Sequence, residues 1–150
     1  MGFVCQGRYA LAPIEPTDAE KYVNLQLDCM EQTYDPIYFD TLGESFTARH
    51  RTERNEYLED FHRHLSSPTV RGFFAYEVPG WTPDGGLSCS IGARINWDKP
   101  VGLALSLCEP SSWELERADN LPELPAGTRK LAHLYTLNHT HGTGLGQALY

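Results

Sequence analysis

The segment LAHLYTLNHTHGTGLGQALY, Leu131 to Tyr150, holds the residues whose types and spacing can do chemistry. An apolar run of strand type passes through a His-Thr-rich bend into glycines at alternate positions, Gly142, Gly144 and Gly146, and then into the start of a helix. A strand that enters a helix through glycines leaves backbone N–H groups unpaired at the positive end of the helix dipole. Glycine also lets an anion approach the main chain without meeting a Cβ. The plain alternative is a tight strand-to-helix turn with no ligand; three alternate glycines favour a phosphate-bearing one.

Two phosphate-binding patterns are excluded by spacing. No Gly-Lys-Ser/Thr follows, so the lysine and hydroxyl that hold terminal phosphates and magnesium in a P-loop are missing. A dinucleotide fingerprint needs G-x-G-x-x-G near the front of a βαβ unit and an acidic residue about 20 positions later. Here the spacing is G-x-G-x-G, after several other elements.

The stretch LYTLNHTHGTGLGQAL resembles the acetyl-CoA motif of the GNAT superfamily, the GCN5-related N-acetyltransferases. In that motif a strand of the type L-Y-V-x-P is followed by Q/R-x-x-G-x-G/A and a helix. Gly144 and Gly146 match the two motif glycines and Gly142 a frequent third, while Leu134, Tyr135 and Thr136 occupy the strand positions. His141 stands where Gln or Arg is usual, and Asn138 where Pro is common.

The resemblance implies that N–H groups from Gly142 through Thr143, Gly144, Leu145 and Gly146 to Gln147 cradle the pyrophosphate of acetyl-CoA. It implies that the pantetheine arm lies along Leu134 to Thr136 like an added strand. The implied reaction is attack of a neutral amine, on a small molecule or a peptide, upon the thioester, with a strand N–H stabilising the oxyanion. An ammonium of pKa about 10.4 is neutral in only about one part in 10³ at pH 7, so a base or a water chain helps. Some relatives carry a glutamate where this strand has Lys130. His133 is therefore the catalytic candidate, weighed against a histidine that merely packs.

The elements that must position these residues are legible from patterning. Arg8 to Ile14 alternates loosely as a strand. Thr17 and Glu20 have capping-box spacing, and Ala19, Val23, Leu27 and Met30 form one stripe of a helix expected to end before Pro36. A second helix is expected from about Ser45 to Leu65, with Tyr57, Leu58, Phe61 and Leu65 on one face. Arg71 to Val78 and Val101 to Glu109 read as strands, Ser88 to Asn96 as a strand or an ordered loop, and Lys130 to Leu137 as the motif strand. Residues 79–98 look like an insertion. This order is a mixed α/β sheet over one domain, residues 1–150, with the acyl-CoA N-acyltransferase fold implied by the resemblance. That resemblance further implies a strand, helix and closing strands after the motif, so the chain is expected to be incomplete at its C-terminus and inactive by itself. An unpaired edge along Lys130 to Leu137 predicts self-association into a homo-oligomer.

Composition narrows the classes. With 12 Lys+Arg against 20 Asp+Glu the formal charge is -8, which speaks against nucleic acid as a partner. Cys5, Cys29, Cys89 and Cys108 form no C-x-x-C pair, and no metal site is expected; they read as reduced thiols of a cytoplasmic protein. His139 and His141 lack a third ligand nearby, and His62 and His64 do not share a helix face. Trp81, Trp97 and Trp113 lie in or beside loops, where they would wall an acceptor pocket or pack. No window reaches membrane-spanning length. The expected activity is acetyl-CoA-dependent N-acetyl transfer. The alternatives are a non-catalytic acyl-CoA or nucleotide-binding module and a fragment with no ligand.

Overall fold

Alternating apolar residues along five short segments build one antiparallel sheet with strand order β1-β2-β3-β4-β5. The strands are β1 (Val4–Gln6), β2 (Tyr9–Pro13), β3 (Arg71–Glu77), β4 (Gly102–Leu107) and β5 (Lys130–Thr136). The structure, a computed structural model, describes residues 2–85, 91–108 and 124–150. Cys89 and Trp113, and most of the proline-containing stretch before β5, lie outside the described residues. The period of two splits the sheet's side chains into two cores. Ala10, Ala12, Phe74, Tyr76, Leu103 and Leu105 face the long helices, and Tyr9, Leu11, Ala75, Val101 and Ala104 face the C-terminal helix. β1 was not foreseen: only three residues long and mostly exposed, it carries no periodic signal of its own.

Helix α1 (Ala19–Leu42) begins after a 3-10 turn at Pro16–Asp18, where the Asp18 carboxylate accepts from the Glu15 N–H at 2.8 Å. That contact stands where the Thr17–Glu20 pair was expected to cap. Ala19, Val23 and Leu27 are buried as the stripe requires, joined by Tyr22, Leu25 and Cys29. The helix also runs past Pro36 to end at Gly43, whose φ of 68° fits a left-handed cap. Proline costs it the bond to the Gln32 carbonyl, but the last turns are tied down from outside. Tyr34 and Tyr38 pack on Phe46 at centroid distances of 5.1 and 4.7 Å, and Asp35 binds the start of the next helix.

The expected single helix from Ser45 to Leu65 is two, α2 (Phe46–Thr52) and α3 (Arg54–Leu65), divided at Glu53 (φ -89°, ψ 17°). Ser45 caps α2 through the Ala48 N–H, and the buried Asp35 carboxylate accepts from the Ser45 and Thr47 hydroxyls and the Thr47 N–H. Phe61 and Leu65 are buried, with Tyr57 and Leu58 packed beside them. Within the stretch read as a strand or ordered loop, Ile91–Arg94 is a helical turn, α4. A five-residue helix, α5 (Leu145–Leu149), follows the glycine loop.

Candidate functional site

β5 pairs with β4 along one edge and with no strand along the other among the described residues. Its register shifts between Leu105↔His133 and Ser106↔Leu131, so Ala132 is the extra residue of a bulge directly beside His133. His133 and Tyr135 point to the α1/α3 face, and Leu134 is exposed.

The loop after β5 is held by its own side chains. A 3-10 turn, Asn138–Thr140, starts where the Asn138 N–H donates to Gln32 Oε1 at 2.8 Å. Buried Thr140 donates its hydroxyl to the Leu137 carbonyl, and Thr143 donates to the Thr140 carbonyl while accepting from the Tyr9 hydroxyl. Leu145 and Leu149 bury themselves under the sheet against Gly102, where any Cβ would come within 3.0 Å of Leu145. The loop is thus clamped at both ends, and its middle is open. Among the described residues the N–H groups of Gly142, Gly144, Leu145, Gly146 and Gln147 carry no hydrogen bond.

The three glycines differ in why they are glycine. Gly142 and Gly144 have φ of 76° and 87°, which a side chain rarely adopts, so the turn alone accounts for them. Gly146 sits inside α5 with no positive φ, and a Cβ there meets nothing within 4 Å. No internal packing asks for glycine at that position. Something approaching the helix from outside would.

Leu134, Tyr135 and Thr136 line one cleft of about 220 Å³ with His141 and, from α1, Cys29, Met30, Thr33 and Tyr34. On the α1 side of this cleft only Met30, the last residue of the apolar stripe, carried a signal in the sequence; Cys29, Thr33 and Tyr34 were not marked as cleft residues. Burial, helped by Asp28, pushes the Cys29 thiol up to about 12, so it stays protonated and is no nucleophile. The Gln26 amide donates to the Tyr135 hydroxyl at 3.3 Å.

His133 stands behind this wall, its ring 5.6 Å from Tyr135, 5.7 Å from Phe61 and 5.9 Å from Tyr22. Its Nδ1 lies 2.6 Å from the hydroxyl of Tyr22, a fully buried residue. Burial, with His64 and Lys130 adding repulsion, lowers the imidazole to about 4, so the ring is neutral at pH 7. Burial also raises the Tyr22 phenol, which keeps its proton and has no other acceptor among the described residues. The arrangement that leaves no buried donor unmatched has Tyr22 donating to Nδ1 and the ring proton on Nε2. The two other loop histidines go separate ways: His139 pairs with Glu77 at 2.9 Å, and His141 lines the cleft. Trp97 packs between Phe3 and Tyr76, whereas Trp81 borders a second cavity.

No family model matches this chain, and no curated protein does. Among solved structures it is similar to AAC(6')-Iy in complex with the bisubstrate analog CoA-S-monomethyl-acetylneamine, with a TM-score of 0.48 and 13% identity over 94% of this chain and 65% of that one. A second structure, of the aminoglycoside N-acetyltransferase AAC(6')-Iy in complex with CoA, gives a TM-score of 0.47 and 11% identity over 99% and 66%. The chain spans just under two thirds of the length of those two. Likenesses of this size carry no weight for what the chain binds. The site has to speak for itself.

Proposed function

We propose that the chain is a GNAT-type domain that binds acetyl-CoA and transfers its acetyl group to an amine on a small molecule or peptide. One observation carries the proposal: five unbonded N–H groups in a clamped glycine loop run directly into the unpaired edge of β5, beside a cleft. The loop suits a pyrophosphate, because backbone donors and open space where Cβ atoms would stand are what such a group requires. The edge suits an extended arm with amide groups, which would pair with Leu134 to Thr136 as a further strand does. In this reading Gly142, Gly144, Leu145, Gly146 and Gln147 hold phosphate oxygens, whereas Thr143, expected from the sequence to join them, spends its N–H and its hydroxyl on the Thr140 carbonyl and braces the loop instead. His141, at the cleft mouth, flanks them.

The chemistry supplied by the thioester is an activated acyl group. The neutral amine nitrogen forms a bond to the carbonyl carbon, the carbon–sulfur bond breaks, and CoA leaves as the thiol, the departing sulfur taking up the proton that the attacking nitrogen loses. A protonated Cys29 speaks for direct attack rather than an acyl-cysteine step. His133, neutral and with Nδ1 engaged by Tyr22, is proposed to orient through Nε2–H the water that takes up the ammonium proton.

The same hydrogen bond favours a second reading. The ring's single lone pair faces Tyr22, so a module that binds acyl-CoA without turning it over would need nothing changed at His133. Release of CoA thiol from acetyl-CoA, followed across a panel of primary amines, separates the two. Amine-dependent release supports the enzyme; binding of acetyl-CoA with no release for any amine supports the module.

A further inference from the structure

A molecule of charge -8 repels a ligand that carries several phosphates unless it gathers cations where the phosphates go. Most of its described cations are engaged elsewhere. Lys21, Arg49, Arg51 and Arg63 pair with carboxylates, Arg54 donates to Asn24, and Arg129 to Thr69 and Ser106. Arg8, Arg94 and Lys99 are different: among the described residues their side chains have no ion pair and no hydrogen bond, and all three are exposed.

These three share one end of the sheet with the glycine loop. The register Tyr9↔Glu77, Ala75↔Gly102 and Gly102↔Thr136 places the β1–β2 turn, the end of β3, the start of β4 and the end of β5 together. Two cavities open there, each lined in part by the segment that follows β5. One, of about 340 Å³, brings Arg8 and Trp81 against Thr143, Gly144 and Gln147. The guanidinium of Arg8 lies 4.9 Å above the Trp81 ring, which fixes the side chain while leaving its N–H donors uncommitted. The other, of about 480 Å³, brings Arg94, Asn96 and Lys99 to His139, with Glu77 as its carboxylate.

We propose that Arg8, Arg94 and Lys99 form a cationic face that binds the phosphate groups of a pyrophosphate-bearing ligand, the neutral glycine loop contributing shape and these side chains the charge. Applied to acetyl-CoA, this deepens the function proposed above and rests on it. Arg8 reaches phosphate oxygens beside Gly144 from the hairpin turn. Arg94 and Lys99 lie beyond His139 and draw the remaining phosphate charge to that side.

The test is calorimetric titration of the native protein and the R8A/R94A/K99A variant with acetyl-CoA, with inorganic pyrophosphate and with phosphate-free S-acetylpantetheine, at low and high salt. Exposed substitutions leave folding intact, and thermal melting checks this. The expected result is at least a tenfold loss of acetyl-CoA and pyrophosphate affinity in the variant, a flatter salt dependence, and unchanged S-acetylpantetheine binding. Equal acetyl-CoA affinity in the two proteins overturns the cationic face and leaves the acyltransferase reading standing. Pyrophosphate bound by the native protein and lost in the variant, with no acetyl-CoA binding, keeps the face and overturns that reading. A native protein that binds neither overturns both.

Discussion

At the residue scale the contrast between His133 and Gly146 is the most informative. His133 was legible as a candidate because it places an imidazole, a group that titrates near neutrality, on the motif strand. Its partner Tyr22 was not legible, since a contact 111 residues apart leaves no local pattern. The structure attaches a measurable consequence to it. A folded-state value of about 4 against an ordinary 6.5 means that the unfolded chain takes up the proton first as pH falls. The stability His133 contributes is therefore complete above about pH 6.5 and is lost as pH drops towards 4, a difference of up to about 3 kcal/mol. Thermal melting should show native protein losing more stability between pH 7 and 4.5 than His133→Gln; parallel curves would mean the ring is not shielded as described. If His133 also orients water for the amine, His133→Gln should slow turnover at neutral pH and recover part of the deficit as pH rises. A constant ratio of rates across pH would leave His133 a packing residue.

At the scale of elements, long periodic segments were readable and their ends were not. The stripe Ala19, Val23, Leu27 announces α1, but a rule about proline stops it seven residues too early. What overrides proline is tertiary: Asp35 reaches from α1 to the first turn of α2, a link no window of sequence displays. Similarly, Glu53 divides what the charged stretch TARHRTERNE presents as one continuous helix. The Asp35 junction yields a test of this account. Burial raises its carboxyl, but hydrogen bonds from Ser45, Thr47 and Phe46 outweigh it and hold the group below its ordinary range. Asp35→Ala strands two hydroxyls and an N–H, and should lower stability by about 1–3 kcal/mol in urea unfolding. A change within a few tenths would show that the last turns of α1 are held by the Tyr34, Tyr38 and Phe46 rings alone.

At the scale of the whole molecule, the glycine loop was legible in spacing, and the sheet end that surrounds it was not. Arg8 and Gly144 are far apart in sequence and meet only because β2 begins and β5 ends on the same side of the sheet. The open edge of β5 with exposed Leu131 and Leu134 should favour self-association, and a ligand arm lying on that edge should oppose it. Light scattering should give a mass that rises with concentration and falls back when acetyl-CoA is added; a mass independent of both would remove the edge from the account. The central claim, that the glycine loop exists to admit a ligand, is tested most directly at Gly146. It needs no positive φ, and its Cβ position is empty space within α5. Gly146→Ala should therefore stabilise the fold by about 0.5–1 kcal/mol while putting a methyl group where the pyrophosphate approaches. Calorimetric titration of acetyl-CoA into native and Gly146→Ala protein, beside their melting curves, should show higher thermal stability and at least tenfold weaker binding in the variant. Equal affinities, or no binding by the native protein, would contradict the claim.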